Sequence, residues 1–175
     1  KLPRVVEGAD GAAAVADTGE APGEAPLAPD RLPSAVTDLY VTGGEKAGAK
    51  LARTKPVRRA LKIHRERDEV LAEMGVRKRF VADEPEDRRA YALRTADGGV
   101  LAVVPVAHTV ELTARSGERG KGGKASVTPS SAEAVYDGSA RRTITDDHLG
   151  QAVAHLPPSG APRVLGADYA MINSR

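Results

Sequence analysis

Apolar residues recur at two different periods along this chain, and the period changes near residue 75. Before that point Leu32, Val36, Leu39 and Tyr40 repeat at helical spacing behind Pro33 and Ser34. Gly43-Gly44 then stop the run, which predicts a short first helix. Thr54-Lys55-Pro56 sets a capping residue and an early proline ahead of the longest periodic stretch, predicting an amphipathic second helix over 56–74 that ends at Gly75. Val57, Ala60, Leu61, His64, Leu71 and Met74 form its inner stripe, and charged residues cover the rest. Lys62 with Glu66 and Arg65 with Glu69 stand four apart, the spacing of helix ion pairs.

Past Gly75 the alternation becomes two. Val76, Lys78 and Phe80 share one strand face, as do Tyr91, Leu93 and Thr95 on a second strand. Asp97-Gly98-Gly99 is the clearest hairpin turn, because these residues accept positive φ. It leads into a long strand over 100–112 that presents Val106, His108, Val110 and Leu112 on one face. Pro105 cannot donate a ladder hydrogen bond, so an edge, bulge or bend is expected there. A basic, glycine-rich tip over 115–124 joins it to a strand near 125–128, and a turn of helix is expected within 130–137. Closing strands are read at 141–145, 151–156 and 163–172, separated by Asp146-Asp147 and Pro157-Pro158.

The first thirty-one residues follow neither period. Val5-Val6 and Ala14-Val15 flank a Gly8-to-Gly11 turn signal and predict a hairpin. Pro22, Pro26 and Pro29 then break any regular pattern, so 17–30 reads as an extended strap. The expected organisation is therefore a hairpin and strap over 1–31 and a single α+β domain over 32–175. In that domain the long amphipathic helix packs on a curved antiparallel sheet.

Composition narrows this picture. The chain has 175 residues, enough for one domain with its own core. Aromatic residues are only 3%, with one Phe and no Trp, so the core is short of large anchors and the surface short of rings on which single-stranded nucleic acid could stack. A net charge of +2 gives no strong field toward phosphate or anionic lipid. No run reaches the roughly 18 to 20 apolar residues that span a bilayer. Zero cysteines exclude disulfides, thiolate metal sites and thiol nucleophiles.

The string from Tyr91 through Ala-Leu-Arg-Thr-Ala-Asp-Gly-Gly-Val-Leu, the amphipathic helix before it and the strand ending His108-Thr-Val-Glu-Leu-Thr after it resemble a family of uncharacterised actinobacterial envelope proteins. Pro157-Pro158 and Arg163-Val-Leu-Gly-Ala fit the same pattern. The resemblance covers roughly 32–170 and rests on turns and core alternation. It implies a cone-shaped, cystatin-like or nuclear-transport-factor-like fold and a secreted or lipid-anchored protein with two related halves, this chain being the second. With Lys1 in first place, an export signal, a lipid anchor or a paired N-terminal half is expected upstream. The alternative, a cytoplasmic protein, calls for a methionine a few codons before Lys1 with no apolar segment. Fold likeness of this kind implies no activity.

Three groupings carry candidate chemistry. Asp146-Asp147-His148, with His155 further on, offers metal-ligating types, but neighbouring strand residues point to opposite faces, so the group reads as a polar turn and no metal is expected. The basic tip lacks phosphate-loop spacing: Glu118 stands where glycine is needed, and Ala125 follows Gly123-Lys124 where Ser or Thr is needed. His64 on the inner helix stripe and His108 on the strand face converge on a helix-to-sheet pocket, with Leu61, Leu71, Val106 and Val110 as its other candidate walls. No nucleophile elbow, zinc-protease motif or dinucleotide fingerprint occurs. The expected function is a non-catalytic envelope module that binds a protein or a small ligand, with no catalytic residues, cofactor or nucleic-acid partner. The alternative is a small-molecule enzyme that uses His108 as its base.

Overall fold

The computed structural model describes residues 2–66, 69–115 and 125–175. Two helices, α1 (Leu32–Val41) and α2 (Lys55–Arg65), precede a short helix α3 (Glu69–Ala72). Five strands follow: β1 (Val76–Asp83), β2 (Tyr91–Arg94), β3 (Val100–Ala114), β4 (Thr143–Leu156) and β5 (Arg163–Ser174). They form one antiparallel sheet in the order β1-β3-β4-β5, with β2 also paired to β3. The architecture is α+β.

The second helix is shorter than its periodicity predicts. It ends at Arg65, Glu66 lies in a turn, and α3 is a separate element. The apolar stripe runs out at this point: the sequence over 65–69 reads Arg-Glu-Arg-Asp-Glu, with no apolar residue to continue it. Likewise the two strands expected at 141–145 and 151–156 are one. Asp146 and Asp147 sit inside β4, opposite Val110 and Thr109 of β3, because a full-length partner strand outweighs a local turn preference. The strand expected near 125–128 is a single bridge between Val127 and Arg141. The basic tip falls outside the described residues except for Arg115.

Proline 105 lies on the central strand, yet in a local gap. On one side β1 pairs with 107–114 and β2 with 100–103, so neither covers 104–106, and the missing N–H falls where the ladder is already interrupted. Between β4 and β5 the register shifts twice, at Asp147/His148 and at Val153/Ala154. Within that stretch a Cβ on Gly150 would overlap the Asp168 carbonyl, so the close approach of these backbones requires glycine there.

The N-terminal segment is woven into the sheet. Glu7 bridges Ala13, and Val5 and Val15 bridge Thr95 and Leu93. Val6 N–H donates to the Arg94 carbonyl and Ala16 N–H to the Ala92 carbonyl, both at 2.9 Å. Ala16 and Leu27 enter the larger core cluster, where Leu32, Val36 and Leu39 of α1 and Val57 and Ala60 of α2 meet Val104, Val106, Ala154, Leu156 and Val164. A smaller cluster at the other end of the sheet joins Val76, Phe80, Val110, Leu112 and Ile144. The loop after α1 is organised by buried Asp38. One carboxylate oxygen accepts from the N–H groups of Lys46 and Gly48, each at 2.9 Å, and the other from the Thr42 hydroxyl at 2.5 Å.

Candidate functional site

On the inner face of the sheet, pairing opposes His108 to His148 and Val110 to Asp146. Alternation sends these four side chains toward the helices. There they border a cavity of about 770 Å³. Its apolar wall includes Ile63, Leu71, Phe80, Val110, Leu112 and Met171, and its polar groups come from α1, α2, β1, β3, β4, β5 and the turn at Ser130 to Glu133.

His108 is the centre of a ring cluster. It stacks between Tyr40, with centroids 5.0 Å apart and planes 14° off parallel, and His148 at 5.1 Å and 4°. Phe80 and Tyr169 meet it edge-on at 5.6 Å and 4.7 Å, a favoured geometry for aromatic pairs. Only 4% of His108 is exposed. Burial, assisted by His148 and Lys78, pulls its pKa down to about 4, so the imidazole is neutral near pH 7. Its Nδ1 has no hydrogen-bond partner among the described residues.

The cavity floor is acidic and enclosed. Asp146 is 4% exposed and Glu133 8%. Burial raises the Asp146 pKa, Glu133 adds to the rise, and Ser174 opposes it. Glu133 accepts from the Ser130 N–H at 2.5 Å. Lys78 stands over the Phe80 ring, its nitrogen 5.1 Å from the centroid, and its pKa is lowered by burial against the pull of Asp146 and Glu133. Burial drives the Tyr169 phenol upward, so it keeps its proton. Among the described residues, the Tyr169 hydroxyl and Asp146 Oδ1 are buried without hydrogen-bond partners.

Three of the six sequence candidates, Leu71, His108 and Val110, line this cavity. Val106, fully buried, belongs to the larger core cluster beside it. Leu61 and His64 lie elsewhere, on a hollow of about 500 Å³ with Thr42, Gly43 and Arg58. There His64 Nδ1 lies 2.6 Å from the Tyr40 carbonyl. The helix face that borders the cavity runs instead through Lys55, Arg59 and Ile63 at steps of four. Sequence reading passed over Tyr40, Lys78 and Tyr169, and set Asp146 and His148 aside as part of a polar turn. One signal for two of them was available: Asp146 and His148 are two apart, so they share a strand face. His155 is distant from this cluster and lies 3.2 Å from Asp97. Among the described residues no group of three or more His, Cys, Asp or Glu is arranged to hold a metal ion.

A second hollow, of about 920 Å³, lies over Val103, Pro105 and Gln151 and is bordered by Asp83, Glu84, Glu86 and Asp87. The buried polar atoms without partners at His108, Asp146 and Tyr169 belong to residues of the first cavity.

The molecule is thus an α+β domain with a half-open, ring-lined cavity between helix and sheet. It belongs to the family described as the domain of unknown function DUF8094, which matches over residues 1–175. The chain is 32% identical over 148 residues, 82% of its length, to an uncharacterised lipoprotein of Streptomyces coelicolor, and it spans 39% of that relative. No solved structure matches it. Among the described residues no helix is long and apolar enough to cross a membrane.

Proposed function

We propose that this domain is a non-catalytic binding module of the cell envelope and that it takes a small ligand in the cavity beside His108. This proposal is carried by the buried polar atoms that have no partner among the described residues, at His108, Asp146 and Tyr169, all of them residues that line one cavity of about 770 Å³. Buried polar groups are ordinarily hydrogen-bonded, and a cavity of this size with few convergent polar groups suits a small molecule. The lipoprotein relative supports an extracytoplasmic address, with a lipid anchor or a paired half supplied by the longer protein. The helices laid on one face of the antiparallel sheet support a cone-shaped, cystatin-like or nuclear-transport-factor-like likeness. Residues 1–31 are read as a strap on a single domain over 32–175.

The enzyme alternative needs a carboxylate or second imidazole within hydrogen-bond reach of His108. His148 instead lies face to face with it, and His108 Nδ1 has no hydrogen-bond partner among the described residues. That arrangement favours binding over proton transfer. The test is a fluorescence titration with N-phenyl-1-naphthylamine, a neutral apolar probe. One probe per chain should bind to the native protein and be lost in Val110→Trp, which fills the cavity, while thermal unfolding shows that the variant is folded. Equal binding by a folded Val110→Trp, or none by the native chain, would overturn the reading.

A further inference from the structure

Charge around the cavity is sorted by depth. At the mouth, the first turns of α2 bring Lys55 and Arg59, both exposed, to the lining. Neither forms an ion pair or hydrogen bond within the described residues. Their helix has no acidic residue in its first turn, and its N-terminal end adds partial positive charge. The opposing carboxylate at the lip is Asp168, which already accepts from the Tyr169 N–H at 3.1 Å. On the floor the buried carboxyl groups of Asp146 and Glu133 line the cavity together with Lys78. The carboxyl groups of Asp146 and Glu133 therefore lie deep beside Lys78, while the mouth carries two exposed cations, Lys55 and Arg59. Between them Ile63, Leu71, Phe80, Val110 and Leu112 provide apolar wall.

Resting on the binding reading above, we infer that the ligand is an amphiphile with an anionic head and an apolar body, its head held by Lys55 and Arg59 and its body lying along Ile63, Leu71 and Phe80. A carboxylate and a phosphate monoester share the chemistry of such a head. A guanidinium matches either with paired donors, and the neighbouring ammonium adds a point charge. A cationic amphiphile would meet the same mouth as repulsion, which supplies discrimination.

The experiment displaces bound N-phenyl-1-naphthylamine with decanoate, decyl phosphate, decanol and decyltrimethylammonium at low salt. Decanoate or decyl phosphate should compete at about ten-fold lower concentration than decyltrimethylammonium, and the better of the two names the head. In the double variant Lys55→Gln/Arg59→Gln, whose changes lie on an exposed helix face, that preference should collapse toward unity while decanol competes as before. Competition by decyltrimethylammonium equal to or better than the anions would overturn the inference and leave the binding reading intact. So would a preference that survives in the double variant. Failure of the naphthylamine to bind the native protein would remove the binding reading and this inference together.

Discussion

The two ends of the sheet are built on the same pair of strands, β3 and β4, and are filled in opposite ways. Around Leu156 the inner face meets α1, the strap and the start of α2, and Leu32, Leu39, Val104, Val106 and Leu156 are all fully or almost fully buried. Around His108 the same strands carry Asp146, His148 and Val110, and the helix side provides Tyr40, Arg59 and Ile63 around open space. Aliphatic side chains close the first end because two helices and an extended segment reach it. The second end has few large aliphatic residues to interlock. Its rings, Tyr40 of α1 among them, pack on one another, and a void remains beside them. Close packing and open space are thus separated along one strand pair.

Truncating one leucine at each end tests that separation most strongly. Leu156→Ala should cost about 3–4 kcal/mol in urea unfolding, by transfer and cavity terms, whereas Leu71→Ala, at a half-buried cavity wall, should cost about 1 kcal/mol. Equal costs would mean that the His108 end is packed as tightly as the other.

A smaller loss is expected at Asp38, whose carboxylate holds the loop after α1 through Thr42, Lys46 and Gly48. Asp38→Ala should lower stability by about 2 kcal/mol, since two N–H donors lose their acceptor. Naphthylamine binding should be retained if the closed end is independent of the cavity. A shift of less than half a kilocalorie would place this loop outside the cooperative core.

Acid should separate the ends with the smallest signal. His108 titrates near 4 in the folded protein and has an ordinary value of 6.5, so between those pH values the unfolded chain holds the extra proton. Its stabilising contribution is full above pH 6.5 and declines as pH falls toward 4, by about 1.4 kcal/mol per unit at most. Asp146, with its pKa raised, has the opposite sign and loses its contribution as pH rises through its folded value. Comparison with His108→Phe isolates the imidazole. The native protein should lose about 1 kcal/mol more than this variant between pH 7 and 5.5, and parallel pH curves would show that His108 is not held neutral.

Element types were largely legible in the sequence, because the period changed at Gly75 and the Asp97-Gly98-Gly99 turn was explicit. What escaped was set by distant partners. Asp146-Asp147 has the composition of a turn and becomes strand because β3 runs long enough to pair with both residues. The second helix ends at Arg65, where the sequence Arg-Glu-Arg-Asp-Glu over 65–69 breaks off the apolar stripe. At the site, alternation along β3 placed His108 and Val110 correctly on the inner face. The error for His64 and Leu61 came from the width of the helix stripe. Helical residues four apart drift around the axis, and α1 occupies the sector into which those two point, so Lys55, Arg59 and Ile63 face the opening instead. Tyr169 depended on the twin register shifts between β4 and β5, which no local pattern announces.

The interruption at Pro105 has a consequence for self-association. Residues 100–114 are rich in Val, Ala and Leu, and an extended run of that kind, exposed before its neighbours arrive, is a template on which identical chains stack into cross-β aggregates. A proline in its middle cannot continue such a stack, so the segment is divided into two shorter stretches, each a poorer seed. The native sheet tolerates the division because β1 and β2 stop on either side of it. Pro105→Val should therefore leave the folded protein little changed while making its refolding from urea more prone to precipitation.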